Sequence, residues 1–421
     1  MKRNLVNIFL LALVLRLMVA LLGEHGDVIN YYWWAKDLWE HGFLGFYERN
    51  IANAMRPTYP PITSYIFWGS AALHTLIWKI SWFLNVKIPF FPSNFILWLE
   101  SVKGWYFVNK IPAILADIGI ISLLYVFVKD LKNEKLAIWA VSCFAFLPPF
   151  WYNSALWGQT DSIFALPMLG AFYALHKERK VLSAFLFGVS VLVKPTALFA
   201  FPVFALWWIR KAKINDYIWS MGAVFITVVL SYLPFHPENT IPWIIEFYKH
   251  SLGGELNYIV ANSYNFWGLI YGFENIPETV SFLGFSSHTI GYFVFALFFT
   301  GVFQFFRTQK KANTKMIIFL AVLTSFFAFL ILPRMHERYF YPTLLLLLPL
   351  AALDTKLRKA FYILSGIHLV NMYHFWWVPR IEVLVGILSN RLVEQSIIIL
   401  NMLMFVWLAV IFKRHYAETK R

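Results

Sequence analysis

The sequence has little cysteine and little charge, and each shortage excludes a class of protein. Cys143 is the single cysteine and lies in an apolar run, so we expect neither a disulfide framework nor a cysteine-based metal site. Only 14% of the residues are charged, whereas soluble proteins keep roughly a quarter of theirs charged. We also find no internal repeat, low-complexity tract or separate soluble domain. The composition therefore indicates a protein built for lipid.

Apolar runs occupy nearly the whole chain. Of its 421 residues, 60% are hydrophobic and 20% are aromatic, and runs of roughly 17–25 apolar residues recur, as in membrane-spanning helices. We predict an all-α integral membrane protein, a polytopic helical bundle that forms one transmembrane domain over residues 1–421. The first run follows Met1-Lys2-Arg3. Because Arg16 interrupts this run and no small-residue cleavage site follows it, we expect a retained helix rather than a signal peptide. Twelve spans are expected, with both termini on one side: 4–22, 113–127, 137–151, 163–175, 182–193, 197–209, 217–233, 290–305, 317–332, 340–353, 361–375 and 397–412.

The net charge of +14 orients the chain in the membrane. Lysine and arginine lie in short loops rather than in one patch, which argues against a nucleic-acid partner and follows the positive-inside rule. Segment 62–84 is apolar enough to span, but counting it as a span would move the later basic loops outside. We therefore expect an interfacial helix there. The basic loops are 129–135, 177–180, 210–213, 307–315 and 356–359. The polar residues of segment 62–84 form one stripe: Thr63, Ser70, His74, Ser81 and Asn85.

The outer face carries the remaining loops and turns. A lysine at mid-bilayer would cost about 2.5–3.5 kcal/mol, so residues 182–209 are expected to form two helices that meet at Lys194-Pro195 near the outer surface. A first outer loop, 23–104, contains interfacial helices, and one of them covers residues 28–41 with an aromatic face. The turn 152–161, a long loop 235–288 and segment 333–338 complete this face.

Every polar cluster of note lies on that face, and each has a structural alternative. Asp27, next to an aromatic amphipathic segment, suits a base acting on a lipid-borne substrate, or it is a solvated loop carboxylate. Residues 153–162 could instead cap a helix. Residues 334–338 could anchor the interface, and Lys194 could snorkel. Arg16 and Asp117 could form a buried ion pair between the first two spans.

Together these groups supply one acid–base carboxylate and several cations able to hold a phosphate. A sugar on a lipid phosphate leaves with a phosphate anion, which needs charge neutralisation, whereas the attacking hydroxyl needs a base. One carboxylate with several cations therefore predicts glycosyl transfer by single displacement with inversion. A retaining route would require a second carboxylate nearby as nucleophile.

Five segments, in order along nearly the whole chain, resemble the GT-C membrane glycosyltransferases. The closest likeness is to the glucosyltransferases that extend lipid-linked oligosaccharides and to related prokaryotic mannosyltransferases. The segments are Gly26-Asp27, Tyr59-Pro60-Pro61-Ile62-Thr63, Trp157-Gly158-Gln159-Thr160-Asp161, Lys194-Pro195 and Met335-His336-Glu337-Arg338. The resemblance implies a GT-C-type bundle and a polyprenyl-phosphate sugar donor.

The resemblance also implies roles for individual residues. Asp27 would be the catalytic base. The donor phosphate would bind Lys194, Arg334, His336 and Arg338. The substrate cavity would be lined by Gln159, Asp161, Tyr59, Glu337, Asp117 and Arg16. Val28-Ile29 follows Asp27 where a metal-dependent branch carries a second acidic residue, so we expect no metal and no cofactor. That branch's large C-terminal soluble domain is also missing, which argues against recognition of a peptide.

The leading hypothesis is transfer of a hexose, mannose or glucose, from a polyprenyl-phosphate donor to a lipid-linked glycan or another extracytoplasmic acceptor. The alternative is a transporter or flippase of lipid-linked saccharides, for which inverted repeats would be typical. A purely structural subunit explains neither Asp27 nor the 334–338 cluster. The expected partners are the donor, the acceptor and membrane lipid. The compact loops favour a prokaryotic cell membrane over the endoplasmic reticulum, with the site on the extracytoplasmic face.

Overall fold

The computed structural model describes residues 2–253, 257–309 and 312–416. Residue 1, residues 254–256 of the predicted outer loop, residues 310 and 311 of the predicted basic loop 307–315, and residues 417–421 lie outside the described residues.

The fold of the described residues is helical, with four strands of two residues each. The helices are α1 (Lys2–Val19), α2 (Asp27–His41), α3 (Pro61–Lys87), α4 (Ser93–Glu100), α5 (Val102–Leu131), α6 (Glu134–Phe146), α7 (Pro148–Trp151), α8 (Asp161–His176), α9 (Lys180–Val193), α10 (Phe201–Lys211), α11 (Ile214–Tyr232), α12 (Thr240–Gly253), α13 (Phe266–Tyr271), α14 (Ser287–Thr308), α15 (Thr314–Ile331), α16 (Tyr341–Leu353), α17 (Thr355–Tyr373), α18 (Glu382–Leu388) and α19 (Arg391–Tyr416). The strands are β1 (Val260–Ala261), β2 (Ser281–Phe282), β3 (Phe285–Ser286) and β4 (Met335–His336). A π-helix covers Tyr152–Trp157, and 3₁₀ helices cover Pro195–Phe199, Pro237–Asn239 and Glu337–Phe340.

The predicted number of twelve spans is not confirmed. Within the described residues, five helices are long and apolar enough to cross a membrane: α5, α11, α14, α15 and α19. The α6 helix and the segment after it make a sixth if they are counted as one span bent by 50°. Other predicted spans fall on helices that are shorter or carry more charge. The 13 residues of α16 rise about 20 Å at 1.5 Å each, less than a hydrocarbon core of about 30 Å.

The core lies where α15 and α16 pack against α5, α8 and α17. Leu344 to Leu348 are all fully buried, so α16 is surrounded by protein. In contrast, α11 exposes large apolar side chains, with Ile218 62% and Trp219 69% exposed. An apolar helix that is exposed in this way belongs against lipid.

The first outer loop matches its prediction in α2 and departs from it in α3. Helix α2 buries the predicted face from Val28 to Leu38, although Trp39 is 41% exposed. The polar stripe of α3 faces protein, because Thr63 donates to the Val193 carbonyl at 2.6 Å and His74 Nε2 lies 2.8 Å from the Leu99 carbonyl. The opposite, apolar side of α3 is exposed, with Leu76 54% accessible.

The long outer loop is joined to the 333–338 segment by a parallel ladder. Strand β1 pairs with β4, with Val260 opposite Met335 and Ala261 opposite His336. The Arg334 amide donates to the Ile259 carbonyl at 3.1 Å. Residues far apart in the chain are thereby held at one place.

Candidate active site

Asp27 is the first residue of α2, where a carboxylate interacts favourably with the helix dipole. A short turn after α1 brings it there. The His25 amide donates to the Trp157 carbonyl at 3.1 Å, and the Asp27 amide donates to His25 Nδ1 at 3.0 Å. These two bonds fix the turn to the segment around Trp157, and neither involves the carboxylate of Asp27.

Two predicted residues, Gln159 and Arg338, meet at the carboxylate of the predicted base Asp27. Its Oδ2 accepts from Gln159 Nε2 at 2.9 Å and lies 3.1 Å from Arg338 Nη2. His25 Nδ1 is 3.5 Å away and also lies 3.0 Å from Gln159 Nε2. The side chain remains 28% exposed, so an acceptor can reach it. Asp27, Gln159 and Arg338 thus form one cluster of side chains.

The electrostatics of the site keep Asp27 ionised. Burial alone would raise the pKa of its carboxyl, but the Arg338 guanidinium, with smaller contributions from His25 and the Gln159 hydrogen bond, brings that pKa well below its usual range. Burial lowers the pKa of His25 to about 4, against the smaller opposing effect of Asp27. A carboxylate and a neutral imidazole therefore stand side by side at neutral pH.

Three of the four residues predicted to bind the donor phosphate surround the ring of Tyr339. Lys194 Nζ lies 5.8 Å from its centre, the Arg338 guanidinium carbon also 5.8 Å, and the His336 ring centre 5.0 Å. Burial lowers the pKa of Lys194, although Asp161 opposes the shift. Burial and the positive charge of Arg338 likewise hold the pKa of His336 well below its usual range. Three nitrogen-bearing side chains from two segments thus share one locus.

Lys194 and Asp161 form a buried ion pair. The other oxygen of Asp161, Oδ2, accepts from Asn153 Nδ2 at 2.9 Å. The capping alternative for this carboxylate is not what the structure has: Thr160 precedes α8 as its N-cap residue, and no side chain caps the helix. The predicted break at Lys194-Pro195 is confirmed, since α9 ends at Val193 and a 3₁₀ helix follows.

Tyr59 joins the site through a chain of hydrogen bonds. Its hydroxyl lies 2.9 Å from that of Tyr31, and the Tyr31 hydroxyl donates to Gln159 Oε1 at 3.1 Å. Gln159 in turn donates to Asp27. The amide of Gln159 is therefore oriented by Tyr31, with its NH₂ group turned to the carboxylate.

Arg16 and Asp117 lie away from these contacts. They are fully buried and joined at 2.5 Å between Nε and Oδ2. The Ser154 hydroxyl donates to Asp117 Oδ2 at 2.5 Å, Ser162 donates to Oδ1, and Arg16 Nη1 donates to the Ala145 carbonyl at 2.9 Å. The structural alternative of a buried ion pair accounts for both residues, and the cavity role stays a prediction.

Arg334 points to the long outer loop instead of the Asp27 cluster. Its guanidinium forms an ion pair with Glu278, with Nε donating to Oε2 at 2.6 Å. That pair raises the pKa of Arg334. Its predicted contact with the donor phosphate stays a prediction.

A model of the family described as Glycosyltransferase family 87 matches residues 58–333. The chain belongs to glycosyltransferase family 87. No curated protein sequence matches it. Among solved structures, it is similar to the crystal structure of ArnT from Cupriavidus metallidurans bound to undecaprenyl phosphate, at a TM-score of 0.50 and 14% identity over 98% of this chain and 77% of that chain. The family and the shared fold confirm the predicted GT-C membrane glycosyltransferase, an integral multi-pass membrane protein.

Several residues of the candidate site in this family 87 glycosyltransferase were not predicted from the sequence. His25 stands in the quoted Gly26-Asp27 neighbourhood but lacked a role, and Tyr31 was assigned to an apolar helix face. Lys110 is 1% exposed, and its ammonium donates to the carbonyls of Ala20 and Leu156, at 2.9 Å each, and of Gly23. A lysine inside an otherwise apolar stretch was the available signal for it.

The Trp157-Gly158 turn is shaped by an unusual backbone. A π-helix ends at Trp157, and Gly158 has φ +77°. A Cβ built there would lie 2.8 Å from Lys110 Cγ and 2.9 Å from Val28 Cγ2. Glycine is required on both counts, and π-helical turns of this kind are frequent at functional sites.

We predict that Gly158→Ala both destabilises this glycosyltransferase and lowers its activity. Left-handed backbone strain costs about 1–3 kcal/mol, and the displaced turn would move Gln159 from Asp27. Thermal unfolding and kcat/KM in detergent measure the two effects. Gly222→Ala on α11 is the matched control, since no described atom lies within 4 Å of its added Cβ. Equal melting and turnover in Gly158→Ala and the wild type would disprove the strained turn.

Four of the buried polar atoms without a protein hydrogen bond lie in this region of the described residues. They are Glu337 Oε2, Arg338 Nε, Asn153 Oδ1 and Thr160 Oγ1. Such atoms are rare in folded proteins unless water or a ligand meets them. Burial raises the pKa of Glu337, although the neighbouring Arg338 opposes this. These atoms are available to the hydroxyls or phosphate oxygens of a substrate.

The acidic groups of the site are each bound to a cation. Asp27 contacts Arg338, Asp161 contacts Lys194, and Glu337 accepts from Arg338 Nη1 at 2.9 Å. Over the ranges that the structure describes, no group of three or more His, Cys, Asp and Glu side chains could hold a metal ion. The arrangement therefore offers an anion-binding site beside one accessible carboxylate.

Proposed function

We propose that this protein transfers a hexose, mannose or glucose, from a polyprenyl-phosphate donor to a lipid-linked glycan or another extracytoplasmic acceptor. Membership in a glycosyltransferase family supports transfer over transport. The donor class is supported by the lipid phosphate bound in the ArnT crystal structure and by the Lys194 and Arg338 side chains, which lie beside Tyr339 together with His336. We place the reaction at the outer face of a prokaryotic cell membrane.

The observation that carries the proposal is the contact between Asp27 and Arg338, at 3.1 Å. A base for the acceptor hydroxyl and a cation for the donor phosphate thereby stand next to each other. In an inverting displacement the acceptor hydroxyl and the leaving phosphate lie on opposite faces of one sugar, so the bound donor would separate Asp27 from Arg338.

The proposed reaction is one displacement with inversion. The acceptor oxygen attacks the anomeric carbon and gives its proton to an Asp27 oxygen. The bond from that carbon to the phosphate oxygen breaks, and the electron pair leaves with the polyprenyl phosphate, whose charge Arg338, Lys194 and His336 bind. Retention would need a second carboxylate that can reach the anomeric carbon, whereas Asp161 and Glu337 are fully buried and Asp27 is 28% exposed.

Donor binding would also raise the pKa of the proposed base, Asp27. A phosphate that takes hydrogen bonds from Arg338 competes with Asp27 for that guanidinium, which raises the pKa of the carboxyl. A base gains strength as its pKa rises toward the working pH. Arg334, held by Glu278, would keep the long outer loop beside the bound phosphate.

The test is transfer by purified protein. The protein is incubated with radiolabelled polyprenyl-phosphate mannose or glucose and a lipid-linked saccharide acceptor, and the label is followed into the acceptor. Covalent transfer with an inverted anomeric configuration, in the presence of a chelator, supports the proposal. Vectorial lipid movement in vesicles without covalent transfer would support the transporter alternative and overturn ours.

A pH dependence follows from the charges at Asp27. The kcat/KM profile reports groups of the free enzyme, and there the pKa of Asp27 is far below its usual range while that of His25 is about 4. As pH falls, kcat/KM should stay level until His25 becomes protonated. Its Nδ1 can then no longer accept hydrogen bonds from Gln159 and from the Asp27 amide, and kcat/KM should fall. His25→Asn should remove this low-pH loss, and the exposed His41→Asn should keep it. An acidic limb near neutral pH would contradict the assignment.

A further inference from the structure

A pocket lies on the predicted outer face, away from Asp27. It has a volume of about 320 Å³ and is formed where the end of α2 meets α3 and the start of α5. Three tryptophans and three charged residues line it: Trp39, Trp78, Trp105, Lys36, Glu40 and Glu100. The roles assigned so far use none of these six side chains. We propose that this pocket is a saccharide subsite, which binds the inner sugars of the acceptor glycan.

The aromatic rings of the pocket are held rigidly. The ring of His74 stacks on Trp105 at 3.7 Å and 19°, and His74 Nε2 is fixed at 2.8 Å from the Leu99 carbonyl. Trp78 Nε1 donates to Glu100 Oε1 at 3.0 Å. A sugar ring presents an apolar face of C–H groups and a polar edge of hydroxyls. Rigid indole rings suit the face, at a low cost in conformational entropy.

The charges of the pocket select a neutral ligand over a lipid phosphate. Glu40 and Glu100 outnumber Lys36, which lies 4.0 Å from Glu40. An excess of carboxylate repels phosphate and offers acceptors to hydroxyl donors. Lys36 and Glu40 are 40% and 49% exposed, and ionised groups of this exposure belong in water rather than in hydrocarbon.

The pocket and the catalytic carboxylate are carried by one helix. Lys36 and Glu40 follow Asp27 by nine and thirteen residues on α2, which corresponds to about 14–20 Å of helix at 1.5 Å per residue. An acceptor with several sugars could thus present its terminal hydroxyl to Asp27 while an inner sugar rests on Trp78. This inference rests on the proposed function, because it assigns the same reaction an oligosaccharide acceptor.

The test measures binding of soluble saccharides to the purified full-length protein. Mannotetraose and maltotetraose are titrated and followed by saturation-transfer NMR, with methyl mannoside as the short probe. We expect one tetrasaccharide to bind more tightly than the monosaccharide, and Trp78→Ala to raise its Kd at least tenfold. Trp78→Phe keeps an aromatic ring and should raise the Kd less. Binding by this variant would show that the loss in Trp78→Ala comes from the missing ring and not from misfolding. Trp219→Ala, on the lipid-facing side of α11, should leave the Kd unchanged.

Two results would overturn the subsite. One is equal tetrasaccharide binding by Trp78→Ala and the wild type. The other is Trp78-dependent binding of dihexanoyl phosphatidylglycerol without saccharide binding, which would make the pocket a membrane anchor. The transfer assay with label on the donor is independent of these outcomes. If saccharide binding is lost but transfer is intact, the proposed function stands and the subsite is overturned. If transfer fails but saccharide binding is intact, the subsite stands and the proposed function is overturned.

Discussion

Asp27→Asn should abolish sugar transfer while donor binding persists. The amide is close in shape to the carboxylate but cannot take the proton of the acceptor hydroxyl. General-base catalysis contributes about 10²–10⁴-fold to a rate, so we expect kcat to fall by at least that range. Donor binding should persist or tighten, because Arg338 loses a competing negative charge. Radiolabel transfer and equilibrium binding of polyprenyl phosphate measure the two quantities.

Asp37→Asn is the matched control for this substitution. Asp37 lies on the same helix, where its Oδ2 is 2.6 Å from Arg49 Nη2. It has no contact with the Asp27 cluster, and we expect wild-type turnover. Asp27→Glu, which keeps the base but displaces it, should retain part of the activity. Full activity in Asp27→Asn would end the assignment of the base, whatever the control does.

The largest expected loss of stability comes from Arg16→Met. Removing one partner of a buried ion pair leaves the other charge uncompensated, which costs about 3–5 kcal/mol. Asp117 would keep the donors Ser154 and Ser162 but would lose its counter-charge. Since these serines hold the π-helical segment and the start of α8, the turn that carries Gln159 should loosen as well. Unfolding in detergent, followed by circular dichroism, measures the change.

Two comparisons decide between a structural and a substrate role for this pair. Arg380→Met breaks an exposed pair with Glu382 and should leave unfolding unchanged, as surface pairs usually do. The double variant Arg16→Met with Asp117→Asn should recover part of the lost stability. An Arg16→Met protein that unfolds like the wild type yet fails to bind donor would show that Arg16 meets substrate.

Local patterns predicted the parts of this protein that depend on neighbours in the sequence. The helix α2 and its buried face followed from helical periodicity, and the break at Lys194 followed from the cost of a charge at mid-membrane. The convergence of Asp27, Gln159 and Arg338 followed from topology, because each was assigned to an outer turn.

Features that depend on tertiary contacts could not be predicted in the same way. Whether the polar stripe of α3 faces water or protein depends on which carbonyls lie opposite, such as those of Val193 and Leu99. Lys110 binds three carbonyls from two distant segments, and no local pattern shows them. Arg334 was placed by its sequence neighbours, but Glu278, 56 residues away, determines its direction.

The pairing of β1 with β4 restricts how this enzyme can be recombined with its relatives. Residues 260 and 261 align main chain with 335 and 336, and Glu278 holds Arg334 from the other end of the same loop. A chimaera that exchanges residues 257–288 alone would pair a β1 strand from another protein with the native β4 strand, which carries His336. Exchanging both segments together preserves their register, so domain shuffling should treat these two stretches as one unit.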